Sequence, residues 1–211
     1  IAVLRETMNR PNIHLSVKKC HGLPYKLAVC EELLRNVEGS GLIYCATREN
    51  CELVAEYLQG QHFPIAAYHA GFEQSAKRVL QNEFVSDKYK ALAATNALGM
   101  GIDKSNLRFI IHFDLPGSIT AYYPEVGRCG RDGAKAEGIL LYDPGDRKIQ
   151  EYFIDSAQPK AEDFSAVLEA VSSAPVPPNL QSIKRVTGLH PTRVTIVIAE
   201  LLEQQFLRKF S

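Results

Sequence analysis

The stretch GLIYCATRENCELVAEYLQGQHFPIAAYHAGF, residues 41–72, carries the reading on which the fold turns. Leu42–Cys45 is a short apolar run and reads as a buried strand. Glu49–Gln59 follows with Leu53, Val54, Tyr57 and Leu58 on one helical face, and Ile65–Tyr68 is a second short apolar run. Continuously apolar strands separated by a helix imply a parallel sheet with helices on both faces.

The same alternation extends in both directions. Upstream, Ile13–Val17 reads as a strand, and Tyr25–Arg35 as a helix from the spacing of Leu27, Val29, Leu33 and Leu34. Downstream, Gln74–Phe84 reads as a helix, Ala91–Ala94 as a strand, Phe109–Phe113 as a strand, Ile119–Val126 as a helix and Gly138–Tyr142 as the final strand. The expected class is α/β. Such sheets gather ligands at the carboxyl ends of their strands, which draws attention to the segments after Cys45, Tyr68 and Ala94.

DPGD, residues 143–146, is a turn signal, and Lys148–Ile154 and Phe164–Ser172 then read as helices. SSAPVPPN, residues 172–179, is a proline-rich break. The expected division is therefore a sheet domain over residues 1–146, a helical connector over 147–175 and a small domain over 176–211. In that last part Leu180, Ile183 and Val186 form a short helical face, Gly188 turns the chain and Pro191 suits the first turn of a new helix. That helix carries Val194, Val197, Ile198, Leu201 and Leu202, and Phe206–Phe210 reads as extended. The pattern is a helix-turn-helix leading into the first strand of a wing. The alternative is a helical hairpin that packs on the rest of the chain and binds nothing.

Composition narrows the function. An apolar content of 45% supports a folded core, and no apolar run approaches the ~20 residues of a membrane span. The opening IAVLRETMNR has too short an apolar part for a signal peptide and lacks an initiator Met, so the chain reads as an excised fragment. Net charge is zero, but the last segment holds Lys184, Arg185, Arg193, Arg208 and Lys209 against Glu200 and Glu203. A local basic cluster is what a nucleic-acid binder needs. The cysteines Cys20, Cys30, Cys45, Cys51 and Cys129 are odd in number and contain no CxxC pair, which argues against a disulfide scaffold or a zinc knuckle and for reduced, intracellular thiols.

The densest chemical signal is YYPEVGRCGRDG, residues 122–133. Arg128 and Arg131 sit among Gly127, Gly130 and Gly133. Glycine permits close backbone approach, and arginine offers a permanently charged fork suited to phosphate. Four other segments accompany it in order: MNRPNIHLSV (8–17), GLIYCATRENCE (41–52), AAYHAGF (66–72), and ATNALGMGIDK (94–104) followed by RFIIHFDLP (108–116). Together, over about Arg10–Asp146, they resemble the second motor lobe of RecQ-family superfamily 2 DNA helicases, a RecA-like fold. The tail resembles that family's winged helix only generically.

The resemblance implies an ATP-dependent 3′-to-5′ DNA helicase. ATP and Mg²⁺ would be shared with a first motor lobe, since the chain contains no Gly-Lys dipeptide and hence no P-loop. It implies Arg131 as the arginine finger, with Arg128 as a second cation toward the nucleotide. Asp103 would reach the ribose or order the site, with Gly99 and Gly101 allowing close approach. It implies strand contacts from Thr47, Arg48, His69, Ala70, Gly71, Thr95 and Asn96, and duplex contacts from Lys184, Arg185 and Arg193. The expected partners are single-stranded and duplex DNA and the first lobe, with no membrane, in bacterial cytoplasm or nucleoid or in a nucleus. The residues alone also allow Thr47 as a helix N-cap and His69 as an internally satisfied loop histidine.

Two departures stand out. Pro124 occupies a position where the family has glutamine, and it removes a backbone donor within the expected Ile119–Val126 helix. No cysteine follows Cys129, so the four-cysteine zinc module frequent in the family has no ligands here, and no zinc is expected. Another superfamily 2 ATPase, such as an RNA helicase, or an inert DNA-binding or interaction module are the alternatives.

Overall fold

The computed structural model describes residues 10–96 and 104–208. The chain forms two compact units, one ending at Arg147 and the other beginning at Lys148.

In the first unit, β1 (Ile13–Lys19), β2 (Gly41–Tyr44), β3 (Ile65–Tyr68), β4 (Ala91–Ala94), β5 (Phe109–His112) and β6 (Ala136–Tyr142) make one sheet. Its order is β1-β6-β5-β2-β4-β3, with every neighbouring pair parallel. Helices α1 (Leu23–Asn36), α2 (Arg48–Gly60), α3 (Gln74–Val85) and α4 (Ile119–Val126) cover it. The pleat sorts the strand residues between two cores. Ile43, Ala93 and Ile111 pack with Cys30 and Leu34 of α1 and Val54 and Leu58 of α2. Leu42, Leu92 and Ile110 pack with Phe84 of α3 and Val126 of α4. Both faces of the central strands are thus covered, which is why β2, β4 and β5 are apolar without alternation. Coverage is incomplete at the β1 edge, where Leu15 is 52% and Val17 61% exposed. A strand with only β6 beside it lies at the rim of the covering helices.

Local chemistry sets the helix starts. Gly22 caps α1 at φ 80° with proline in the first turn, Thr47 caps α2 and Ser118 caps α4. The α4 helix runs through Pro124 and ends two residues later. Proline cannot donate to the Thr120 carbonyl one turn back, so α4 is held by fewer backbone bonds than its length suggests.

The second unit contains α5 (Arg147–Ala157), α6 (Ala161–Ser172), α7 (Leu180–Thr187) and α8 (Pro191–Glu203). Val167 of α6, Ile183 of α7 and Val194, Val197 and Leu201 of α8 share one core. The proline-rich segment 172–179 therefore lies inside this unit and does not divide it. Gly188 caps α7 in the left-handed region at φ 67°, and Pro191 opens α8, as read from the sequence. The extended wing strand expected at Phe206–Phe210 is not formed over its described part. Gln205 turns left-handed at φ 62°, and the Leu207 N–H bonds back to the Leu201 carbonyl at 3.1 Å. Leu207 then packs on the unit's core instead of continuing outward. Lys209 and Phe210 lie outside the described residues.

Candidate nucleotide and strand-binding sites

Because β2, β4 and β3 are neighbours, the loops following them lie side by side along the carboxyl edge of the sheet. Ala46–Arg48, Thr95–Asn96 and His69–Gly71 therefore form a row spanning two strand spacings, roughly 10 Å. The fold brings these sequence-predicted residues together. Thr47 spends its Oγ1 as a cap, accepting from the Asn50 N–H at 3.1 Å. Arg48 is exposed, and its guanidinium passes beside Gly71, where a Cβ would lie 3.4 Å from Nη1. Asn96 is exposed, and Thr95 is half-buried with its N–H on the Tyr68 carbonyl at 3.3 Å.

His69 faces inward and is 4% exposed. Its Nδ1 accepts from the Gly71 N–H at 3.1 Å, its Nε2 reaches Glu52 at 3.0 Å, and its ring stacks on Phe72 at 4.4 Å. Nδ1 accepts, so Nε2 carries the proton and donates to the carboxylate. His69 thus shapes a loop whose outer surface is Ala70 and Gly71. Gly99, Gly101 and Asp103 lie outside the described residues.

The root of this row rests on a buried ion cluster that sequence reasoning missed. Asp114 accepts from the Ala46 N–H and the Asn50 side chain, each at 2.8 Å, and from Lys26 Nζ at 2.9 Å. Lys26 also reaches Asp146 at 3.1 Å and lies 4.5 Å from the Phe113 ring centre. Burial works to lower the Lys26 pKa, but the two carboxylates outweigh it and the net movement is upward. Asp146 shows the cost: burial raises its carboxyl pKa, and Lys26 only partly offsets this. The signal was an acid, Asp114, directly following the apolar run FIIHF.

The arginine loop, residues 127–133, has its backbone at the opposite end of the sheet. The Gly130 N–H bonds the Leu107 carbonyl at 2.9 Å, just before β5 begins. Arg10 donates to the carbonyls of Gly127 at 3.2 Å, Cys129 at 3.3 Å and Gly130 at 2.7 Å. Asn12 donates to Gly130 at 2.8 Å and Ala134 at 2.9 Å. Arg108 pairs with Asp132 and donates to the Lys135 carbonyl at 3.1 Å. That hydrogen bond from Arg108 holds the Asp132 carboxyl below its usual range. Three side chains remote in sequence therefore pin the loop, and its own two arginines differ in burial. Arg131 is exposed. Arg128 is half-buried and its charge lies near Tyr44, whose pKa burial pushes up to about 12 against that charge. The Tyr44 hydroxyl makes no hydrogen bond of good geometry.

In the second unit, Arg185 is exposed and Lys184 half-buried, both near the end of α7. Arg193 is engaged internally: its guanidinium lies 3.4 Å from the Asp163 carboxylate and 3.4 Å from the Asp155 carbonyl.

The helicase conserved C-terminal domain family matches residues 25–133, a span that includes the row of loops and both arginines. Over 144 residues the chain is 44% identical to the ATP-dependent DNA helicase RecQ of Pasteurella multocida, covering 66% of this chain and 22% of that protein. Over 166 residues it is 36% identical to the probable ATP-dependent DNA helicase RecS of Bacillus subtilis, covering 78% and 34%. The chain thus spans between about a fifth and a third of these relatives' length. Among solved structures, the C-terminal domain of the DEAD-box protein Dbp5 superposes with a TM-score of 0.58 at 26% identity, covering 70% of this chain and 88% of that one. A DEAD box protein from the hyperthermophile Methanococcus jannaschii gives 0.58 at 28% identity, covering 69% and 40%.

Proposed function

Because this chain belongs to the helicase conserved C-terminal domain family, in its RecQ form, we propose that it is the second motor lobe of an ATP-dependent 3′-to-5′ DNA helicase. The observation that carries this reading is the arginine loop: three glycines, a backbone pinned by Arg10, Asn12 and Arg108, and an exposed Arg131. Such a loop fits a polyphosphate, since it presents guanidinium charge on a backbone that need not reorganise to receive it. ATP supplies the free energy of phosphoryl transfer. Arg131 meets the charge that develops on the γ-phosphate oxygens, an effect worth roughly 10³ to 10⁵ in rate. Arg128 is the inner cation of the pair. Asp103, Gly99 and Gly101, which lie outside the described residues, are assigned to the nucleotide by the family resemblance alone. Among the described residues no group of three or more His, Cys, Asp or Glu side chains stands where it could hold a metal ion; the magnesium of the reaction is assigned to a first lobe.

Strand contact falls to the row of loops. Arg48 and Asn96, with the Thr47 and Thr95 backbone, face phosphates and sugars, and His69 holds Ala70 and Gly71 in place for close approach. Contacts of this kind are sequence-independent. Lys184 and Arg185 are the duplex-facing cations of the helix-turn-helix, and Arg193 contributes by fixing α8. The partners are single-stranded and duplex DNA and the first motor lobe, in the cytoplasm or nucleoid of a bacterium or in a nucleus. No described helix is long and apolar enough to cross a membrane.

Phosphate release tests the division of labour. The purified chain should not exceed a mock preparation, with or without single-stranded DNA, whereas the two-lobed protein should be DNA-stimulated. DNA-stimulated turnover by this chain alone contradicts the reading. Stimulation of the two-lobed protein by RNA and not DNA turns it toward an RNA helicase.

A further inference from the structure

The apolar run of β5 ends in a histidine whose side chain is 1% exposed. A polar ring buried there is costly unless something uses it. The Nε2 of His112 lies 2.9 Å from Glu125 Oε2, and since a carboxylate only accepts, Nε2 donates. Its Nδ1 is buried without a hydrogen-bond partner among the described residues, so the ring's polar contact there is with Glu125. The ring stands between two tyrosines, Tyr44 of β2 at 5.3 Å and 19° and Tyr122 of α4 at 4.8 Å and 48°. His112 therefore grips α4 twice, by contact with Tyr122 and by hydrogen bond to Glu125. The next turn leads into the arginine loop, and the Arg128 N–H donates to the Glu125 carbonyl at 3.2 Å. The Arg128, Glu125 and Arg131 charges all act on the Tyr44 hydroxyl, so His112, Tyr44, Glu125 and the two arginines form one cluster. Pro124 deprives α4 of a backbone bond at this same end, which leaves more of its placement to side-chain tethers.

We propose that His112 is a positioning residue for the arginine pair, holding the end of α4 through Glu125 and Tyr122 so that Arg128 and Arg131 enter the site at a fixed depth. The inference rests on the reading of the arginine loop given above. His112 is 1% exposed and acts through α4 and not by direct contact with nucleotide or strand. Its loss should act on the turnover step, because a misplacement of about 1 Å costs up to roughly a hundredfold in rate.

The experiment compares His112→Phe, His112→Gln, Glu125→Gln and Arg131→Ala in the two-lobed protein. DNA-stimulated kcat and KM for ATP are measured per nucleotide-binding site, alongside thermal melting. Phenylalanine keeps the ring and removes the donor. Glutamine at 112 keeps a donor where Nε2 lies. The expected result is a roughly ten- to hundredfold loss of kcat in His112→Phe, with KM changed no more than about twofold and partial rescue in His112→Gln. Glu125 is more accessible than His112, so Glu125→Gln gives the readout should His112→Phe fail to fold, and its kcat should fall as well. If Arg131→Ala collapses turnover while His112→Phe and Glu125→Gln stay within about twofold of wild type, this inference fails and the arginine reading stands. If Arg131→Ala is also near wild type, both fall.

Discussion

Gly130 sits at φ 59°, and a Cβ there would lie 2.6 Å from Asn12 Nδ2 and 2.9 Å from the Ala134 carbonyl. Gly133, three residues on, has φ 82° but nothing within 4 Å. The pair separates two costs. Gly133→Ala should lose only the conformational penalty, about 1–2 kcal/mol. Gly130→Ala adds the displacement of Asn12 and should lose about 1–3 kcal/mol more. Denaturant midpoints at constant m value check the ranking. The sequence showed glycines among arginines. It did not show which glycine is obligatory, because that depends on Asn12, more than a hundred residues away in the chain. A similar distance hid Arg10, and Arg108 stands 24 residues from Asp132, whereas Thr47 was legible as a cap because its partner, Asn50, is three residues away. Lys26 makes a second test at this scale. Lys26→Met leaves Asp114 and Asp146 buried without their cation and should cost roughly 3–5 kcal/mol. The folded-state pKa of Lys26 is raised, so its contribution is complete below its ordinary value of 10.5 and is lost only as pH climbs through the raised one. The stability gap between wild type and Lys26→Met should therefore hold steady from about pH 6 to about pH 9.

At the scale of elements, strands and helices of the first unit were readable to within about two residues, since the central strands are short continuous apolar runs and the helices present one apolar face. The strand order was not, because periodicity says nothing about which strands pair. That order is what sets the loops after β2, β4 and β3 in a row; the arginine loop lies at the other end because it leads into β6 of a parallel sheet. The tail was half legible. Gly188 and Pro191 announce the end of α7 and the start of α8, but Leu207 returning to the helix core, and Arg193 turning to Asp163, are tertiary events. They give a prediction that separates the three basic residues. Replacing Lys184 and Arg185 by alanine should weaken duplex binding uniformly across sequences and reduce the salt slope by about 2. Arg193→Ala should instead lower the melting temperature of the second unit. Equal slopes for wild type and the double variant would mean that α7 packs or docks without gripping DNA.

For the whole molecule, the account joins two surfaces on one RecA-like lobe: three loops that would hold a strand, and one pinned loop that carries the arginines. No P-loop accompanies them, since the chain contains no Gly-Lys dipeptide. The most direct test is Arg131→Ala in the two-lobed protein, with ATP binding and DNA-stimulated hydrolysis measured on the same preparation. The account predicts nucleotide affinity within about threefold of wild type and a fall in kcat of roughly a thousandfold or more, because the finger acts on transition-state charge. A variant that binds ATP normally and retains near-normal kcat would contradict it.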